Sequence, residues 1–179
     1  MGKVSAAHLL VRKLRMHGID RLFGLCGDHV NPIFNTCLDE GVSIVDTRHE
    51  SGATHMADAW ARITGAPGVS VVTGGPGHTN SLTGIATAWM QGSPILAISG
   101  QYETGLRERG ALQEVDQVGM VGPITKWARC ATDPARLPAY VSRALRLALE
   151  GRPGPVHLSP RGAGPRARRS PRTPPCRGG

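Results

Sequence analysis

Two stretches between residues 42 and 80 repeat the same order of an apolar run, a turn and a segment with helical spacing. The first run, Val42 to Val45, is mostly β-branched and predicts a buried strand, and a helical pattern begins after Glu50. The second run, Val69 to Thr73, leads into the turn Gly75-Pro76-Gly77. Because the carboxyl ends of parallel strands meet at one edge of a sheet, Glu50 and this turn should border the same ligand-binding crevice.

The rest of the chain continues this alternation. Apolar periodicity predicts helices at residues 4–14, 31–38, 78–90, 113–118 and 135–149, and strands at residues 21–27, 95–99, 124–129 and 155–159. Asn31 is expected to cap the second helix, with Pro32 in its first turn, and residues 102–112 read as a surface loop. The pattern predicts a three-layer α/β fold, with a mostly parallel sheet covered by helices on both faces, in one domain at residues 1–159.

The net charge of +8 is concentrated at the C-terminal end. Residues 160–179 contain six arginines and no acidic residue, which leaves only +2 for residues 1–159. The globular part therefore shows no basic footprint for nucleic acid. Residues 161–179 are nearly all Arg, Pro, Gly and Ala, without Leu, Ile, Val or an aromatic residue, so we expect a disordered tail at residues 160–179.

The four cysteines form no Cys-x-x-Cys pair, which argues against a zinc site or a redox motif. This cysteine usage suits a reducing cytoplasm. The N-terminal residues lack the apolar segment of a signal peptide, and no run of eighteen apolar residues occurs. We therefore expect a soluble cytoplasmic protein without a membrane anchor.

Two motif-based alternatives fail on spacing. His55 follows His49-Glu50 one residue too late for the zinc motif His-Glu-x-x-His. Gly75-Pro76-Gly77 continues to Asn80 rather than to the third glycine of a dinucleotide fingerprint. Taken singly, Glu50 and Asn80 also have structural interpretations, since an acid is favoured in the first turn of a helix and Asn often bonds locally at a turn.

In combination the motifs of this region are specific, and they extend from residue 48 to residue 80: Arg48-His49-Glu50, Ala53, Met56-Ala57-Asp58-Ala59, Ala61-Arg62, Thr64-Gly65, Gly68-Val69, Thr73, Gly75-Pro76-Gly77 and Asn80. With them the chain resembles, over about residues 3–159, the pyrimidine-binding domain of thiamine-diphosphate-dependent enzymes. Acetolactate synthase large subunit and benzaldehyde lyase are the members that it resembles most.

The resemblance implies a cofactor, thiamine diphosphate, and roles for particular residues. The glutamate matched by Glu50 hydrogen-bonds a pyrimidine nitrogen and so promotes removal of the thiazolium proton. Thr73, Pro76 and Asn80 match positions that line the pyrimidine or shape its loop. His29 and Gln113 match a histidine and a glutamine that manage protons on substrate hydroxyl and carbonyl groups in benzaldehyde lyase.

The other half of the family's cofactor site is not evident in the sequence. Gly27-Asp28 begins like the family's metal motif, but no asparagine follows at the required distance. Mg²⁺ is therefore expected only through a diphosphate-binding domain that is absent from this chain. The implied partners are that domain or subunit, further copies in a homo-oligomer, and a small-molecule 2-oxo acid or 2-hydroxy ketone.

The resemblance leaves synthase and lyase activities open. Gly75-Pro76-Gly77 and Gln113-Glu114 are similar to acetolactate synthase, whereas Leu25-Cys26 replaces its usual Tyr-Pro and His29 replaces a small residue. One hypothesis is an enzyme of the acetolactate synthase or benzaldehyde lyase type. The other is a truncated or split subunit, inactive alone, that supplies only the pyrimidine half of the site. The change of composition suggests a frameshift or a wrongly placed gene boundary near codon 160, after which relatives would continue into a middle domain. A natural disordered basic tail is the alternative.

Overall fold

The expected strands form a single parallel sheet in the computed structural model, which describes residues 5–101 and 111–161. Within these residues the sheet has six strands in the spatial order β2-β1-β3-β4-β6-β5, and every neighbouring pair is parallel. The strands are β1 Arg21–Gly24, β2 Ser43–Asp46, β3 Gly68–Val72, β4 Ile95–Ser99, β5 Trp127–Ala131 and β6 Val156–Pro160. The prediction of a mostly parallel α/β sheet is confirmed.

Helices cover both faces of this sheet. They are α1 Ala6–Met16, α2 Asn31–Glu40, α3 Glu50–Thr64, α4 Pro76–Gln91, α5 Gln117–Val121 and α6 Leu137–Leu149, with short 3-10 helices at Gly122–Ile124 and Pro134–Arg136. Helices α1, α2 and α6 bury their apolar side chains on one face. Helices α3, α4 and α5 pack on the other face, which completes the three layers expected from the sequence.

The two central strands are buried on both faces. In β3, Val69 and Val71 belong to the core on the side of α1, α2 and α6, and Val72 belongs to the core on the side of α3, α4 and α5. In β4, Leu96 and Ile98 face the first of these sides, and Ile95 and Ala97 face the second. Successive residues of a strand point to opposite faces, so a strand covered on both sides must be apolar throughout. This is why these strands read as continuous apolar runs.

Close packing draws α3 against β3 and α4. A Cβ on Gly68 of β3 would lie 2.0 Å from the carbonyl oxygen of Ala57, and one on Gly84 of α4 would lie 2.6 Å from Cβ of Thr54. The absence of side chains at these two glycines lets the backbones approach. The approach brings the N-terminal ends of α3 and α4 side by side.

One predicted helix cap and several predicted boundaries are wrong, including the end of the strand predicted at residues 21–27, which lies at Gly24. Val30, not Asn31, caps α2, and the Asn31 side chain instead accepts a hydrogen bond from the amide of Gly27 across the preceding turn. The helix predicted at residues 113–118 begins only at Gln117, because Asp116 caps it by accepting from Gly119. The strand predicted at residues 124–129 begins at residue 127, after a 3-10 helix that contains a proline.

The C-terminal boundary of the predicted domain lies close to the end of the sheet. Strand β6 runs to Pro160, and Arg161 still pairs with Gln101, so the sheet continues slightly past residue 159. Residues 162–179 of the predicted tail, and residues 102–110 of the predicted loop, lie outside the described residues. The division into a domain and a disordered tail stays a prediction.

Candidate active site

The candidate site lies at the point where the order of the strands reverses. The chain passes from β1 outward to β2 and then returns to place β3 on the other side of β1. Helix α2, which follows β1, lies on one face of the sheet, whereas α4, which follows β3, lies on the opposite face. Such a reversal, at the carboxyl ends of β1 and β3, is the usual place of a ligand-binding crevice in parallel sheets.

Glu50 is the first residue of α3 and lies beside this crevice. Only 9% of its surface is exposed, and its Oε2 accepts a hydrogen bond from Nδ2 of Asn80, 2.9 Å away. Asn80 belongs to α4, so the contact depends on the close packing of the two helices. The structure thus brings together two residues that are thirty positions apart, and a local hydrogen bond is not the role of the Asn80 amide.

A glycine packs closely beside the second carboxylate oxygen of Glu50. A Cβ placed on Gly77 would lie 3.2 Å from Oε1 of Glu50 and 2.7 Å from Cγ2 of Thr73. Gly77 therefore stands between the Glu50–Asn80 pair and the residues that follow β3. Any larger residue at this position would push into the groups that border the crevice.

Three further residues form a hydrogen-bonded group that we call the crevice chain: His29, Thr73 and Gln113. Nδ1 of His29 lies 3.2 Å from Oγ1 of Thr73, and Oγ1 of Thr73 donates to Oε1 of Gln113 over 3.3 Å. They come from the loop after β1, the end of β3 and the segment before α5. Thr73, which is expected to contact the cofactor, therefore connects His29 and Gln113, which are expected to handle substrate protons.

Gln113 is held in an uncommon backbone conformation. Its φ of +60° is the only positive value at a non-glycine position among the described residues. A Cβ on Gly75, which itself has φ of +60°, would lie 2.5 Å from the Cβ of Gln113, so the two backbones are in contact. Left-handed conformations of this kind persist where the surrounding structure enforces them, and they cluster at functional sites.

Pro76 takes a structural position. It follows Gly75, the capping residue of α4, and is exposed. Because its ring fixes φ near the helical value and its missing N–H is not needed there, it suits the first turn of a helix. It gives α4 a defined start beside the crevice.

Burial is the main electrostatic influence on His29. Desolvation lowers the pKa of His29, and the nearby charge of Asp28 and a hydrogen bond with Gln113 oppose this shift only in part. The side chain is 9% exposed. A buried imidazole with a lowered pKa stays neutral near pH 7, with one nitrogen as donor and the other as acceptor.

The sequence interpretation missed two buried histidines, which we call the interior pair: His78 and His157. Their rings lie 4.8 Å apart, and Nδ1 of His78 lies 2.8 Å from Oγ of Ser99. Both are completely buried. Burial lowers the pKa of His78 to about 4 and, with the neighbouring ring, lowers that of His157 well below its usual value. His78 immediately follows Gly77, and this position next to the turn is the sequence feature that could have pointed to it.

A separate cavity of about 640 Å³ opens at the carboxyl ends of β4, β6 and β5. Its lining includes Gln101, Gln117, Arg129 and Arg161. The side chain of Gln117 donates to the carbonyl oxygen of Gly100 and to Gln101. None of the six residues predicted for the site lines this cavity, so we distinguish it from the crevice.

Within residues 5–101 and 111–161, no group of three or more His, Cys, Asp or Glu side chains could hold a metal ion. In the same part of the chain, no helix is both long and apolar enough to cross a membrane.

Comparison with known proteins identifies similar sequences. Residues 4–120 match the family described as "Thiamine pyrophosphate enzyme, N-terminal TPP binding domain". The chain is 43% identical over 145 residues to "2-hydroxyacyl-CoA lyase 2" of Danio rerio, a match that covers 81% of this chain and 23% of that protein.

Acetolactate synthases give similar values. Identity is 42% over 157 residues with "Acetolactate synthase isozyme 3 large subunit" of Escherichia coli strain K12, covering 87% of this chain and 27% of that protein. It is 41% over 158 residues with "Acetolactate synthase" of Arthrospira platensis, covering 86% and 27%. The chain spans about a quarter of the length of these curated relatives.

Proposed function

The chain belongs to the N-terminal cofactor-binding domains of the thiamine pyrophosphate enzymes, and we propose that it forms the pyrimidine half of an active site that makes or breaks a carbon–carbon bond next to a carbonyl. Thiamine diphosphate is the family's cofactor. The observation that carries the proposal is the buried carboxylate of Glu50, oriented by Asn80 at the switch point of the sheet.

The residues at the crevice fit a flat, nitrogen-containing ring. One carboxylate oxygen of Glu50 lies beside the backbone of Gly77, while Asn80 donates a hydrogen bond to the other oxygen. A carboxylate shielded from water forms stronger hydrogen bonds than an exposed one, so it can hold a ring nitrogen firmly. Glu50 would bind the pyrimidine, and Thr73, Pro76 and Asn80 would shape its surroundings.

When bound, thiamine diphosphate supplies a nucleophilic carbon and a sink for the electrons of the bond next to a carbonyl. The remaining work falls to residues of this chain. Glu50 would orient the ring and hold a proton at its carboxylate, and the apolar packing of α3 and α4 would keep water away from it. His29 and Gln113 would face the substrate, where His29 would exchange a proton with a hydroxyl group.

A small 2-oxo acid or 2-hydroxy ketone is the proposed substrate class. The names of the relatives include both a lyase and synthases. The neutral, buried imidazole of His29 supports a lyase or carboligase of the benzaldehyde lyase type, because cleavage beside a hydroxyl group needs a proton acceptor there. Acetolactate synthesis is the second candidate, which the synthase relatives favour.

The diphosphate and Mg²⁺ would be bound by a second domain or subunit, with further copies of the chain in a homo-oligomer. Helix α4 supports such a contact, because none of its sixteen residues is charged. Met56, Ile63 and Met90 are exposed on α3 and α4. Surfaces with few charges and exposed methionines are typical of interfaces. We place the assembly in the cytoplasm, as the cysteine usage suggests.

The test is a titration of the isotopically labelled chain with thiamine diphosphate, followed by amide NMR shifts. We expect weak binding that shifts the amides of Glu50, Gly77 and Asn80, because only half of the site is present. Glu50→Gln should abolish these shifts, whereas Glu150→Gln, at an exposed position, should leave them unchanged. Shifts confined to other regions, or equal binding by the Glu50 variant, would contradict the proposal.

A further inference from the structure

The crevice chain uses the only hydrogen of the Thr73 hydroxyl. Oε1 of Gln113 is an acceptor and lies 3.3 Å from Oγ1 of Thr73, so the hydroxyl donates to it. The same Oγ1 lies 3.2 Å from Nδ1 of His29. Since its hydrogen is already committed, Oγ1 can only accept from the histidine. With the amide oxygen of Gln113 facing Thr73, this arrangement assigns the proton of neutral His29 to Nδ1.

The surrounding backbone leaves the imidazole little freedom to turn away. A Cβ on Gly74 would lie 3.3 Å from Nδ1 of His29, and a Cβ on Gly100 would lie 2.4 Å from Cβ of His29. The ends of β3 and β4 thus press against two sides of the histidine. On the other side of Thr73, Gln113 is held by its contact with Gly75. All three members of the crevice chain are positioned by backbone packing.

We propose that Thr73 is a positioning residue that holds neutral His29 with its proton on Nδ1, so that Nε2 is left to accept a hydrogen bond or proton from a substrate hydroxyl group. The hydroxyl of Thr73 then serves the histidine and the glutamine rather than the cofactor. The substrate part of this proposal rests on the proposed function; the tautomer is a property of the folded chain.

The charges around His29 agree with a neutral ring. Its contacts with the ends of β3 and β4 and with the segment before α5 are made by Gly74, Gly100, Thr73 and Gln113, none of which titrates. Among the described residues, the charge of Asp28, on the same loop, raises the pKa of His29, but burial outweighs it. A neutral histidine in water favours the opposite tautomer, with the proton on Nε2, so the effect of Thr73 is measurable.

The experiment is nitrogen-15 NMR of the histidine rings in the labelled chain near pH 7.5, where His29 is neutral. We expect Nδ1 of His29 to resonate as a protonated nitrogen and Nε2 as an unprotonated one. Thr73→Val, which keeps the shape of the side chain but removes the hydroxyl, should move the ring toward the Nε2–H form. Thr73→Ser should restore the original form.

Controls separate this proposal from misfolding and from the proposed function. Amide spectra establish whether Thr73→Val is folded; if it is not, Gln113→Leu replaces it, because losing the acceptor frees the threonine hydrogen and should also change the tautomer. Wild-type His29 with its proton on Nε2, or a folded variant with an unchanged tautomer, would overturn the proposal. Glu50→Gln should leave the tautomer unchanged, so a failure of cofactor binding at Glu50 would affect the proposed function alone.

Discussion

The crevice chain and the interior pair both contain buried histidines, yet their surroundings differ. In the crevice chain, Nδ1 of His29 contacts the hydroxyl of Thr73, and the ring also interacts with the side chain of Gln113. In the interior pair, His78 and His157 pack against each other and against serines, deep between the sheet and α4. His29 packs against the backbone of two glycines and keeps a small exposed surface, whereas the other two histidines have none.

This contrast separates a candidate catalytic group from a structural one. All three histidines have a pKa lowered by burial, so the direction of the pKa shift does not tell them apart. What differs is access: His29 is partly exposed, and the interior pair is completely buried. We therefore expect changes in the crevice to affect chemistry more than stability, and changes around the interior pair to affect stability more than chemistry.

The largest effect should follow from Glu50→Gln, which tests the crevice. The reaction can be followed in a chimaera that joins residues 5–160 to the remaining domains of a full-length acetolactate synthase relative. Hydrogen exchange at the reactive carbon of thiamine diphosphate, measured by deuterium incorporation, should slow by about 10²- to 10⁴-fold because a proton-transfer group is lost. The urea midpoint should change little. Unchanged exchange in a folded chimaera would remove Glu50 from the mechanism.

The interior pair should make the fold sensitive to acid. The pKa of His78 in the folded chain is about 4, and both histidines return toward 6.5 on unfolding. Between pH 6.5 and 4 the unfolded chain therefore binds protons that the folded chain does not, so stability falls as the pH drops through this window. In this window each histidine changes the free energy of unfolding by up to about 1.4 kcal/mol per pH unit. Above pH 6.5 its contribution to that free energy is constant.

Urea unfolding measured by circular dichroism at several pH values checks this expectation. His157→Leu should reduce the slope below pH 6.5, because one of the two groups no longer titrates. His17→Gln, at an exposed position, should leave the slope unchanged. Stability that stays constant from pH 6.5 to 4.5 would show that the interior pair does not behave as we describe.

Gly75→Ala tests whether the contact between Gly75 and Gln113 constrains the backbone at the crevice. Gly75 and Gly41 both have positive φ, but a Cβ on Gly75 would meet Gln113 at 2.5 Å, whereas one on Gly41 would meet nothing within 4 Å. Gly41→Ala should cost about 1 kcal/mol through backbone strain alone. Gly75→Ala should cost about 1–3 kcal/mol more, because Gln113 must move. Equal unfolding free energies for the two variants would mean that the contact adds no constraint.

The smallest effect is expected for Asn80→Ala. Removing the Asn80 amide takes one hydrogen bond from the Glu50 carboxylate. The carboxylate remains able to bind a pyrimidine but is less well oriented. Affinity for thiamine diphosphate should fall by about tenfold, which corresponds to roughly 1.4 kcal/mol for a hydrogen bond to a charged group. Thr83→Ala, at an exposed position of the same helix, is the control and should have no effect.

Much of this arrangement could be predicted from the sequence. The β-branched runs and the helical periodicity give the alternating elements, and Glu50 falls at the start of α3 as expected. The boundary of α5 could not be predicted, because Gln113 adopts a left-handed conformation that depends on contact with Gly75, thirty-eight positions away. Local periodicity contains no information about a contact between distant segments. The same limit applies to Asn31, whose side chain bonds Gly27 instead of capping its helix.

Local patterns were enough to predict the order of strands and helices along the chain, the apolar central strands and the motif that includes Glu50, because these depend on neighbouring residues and on the burial of each face. Other contacts became visible only in the folded chain: Asn80 reaches Glu50, Thr73 joins His29 to Gln113, and His78 packs against His157. Each of these contacts requires two segments to be brought together by the sheet and its helices. Their geometry depends on backbone packing at glycines such as Gly75, Gly77 and Gly84, which only the folded chain reveals.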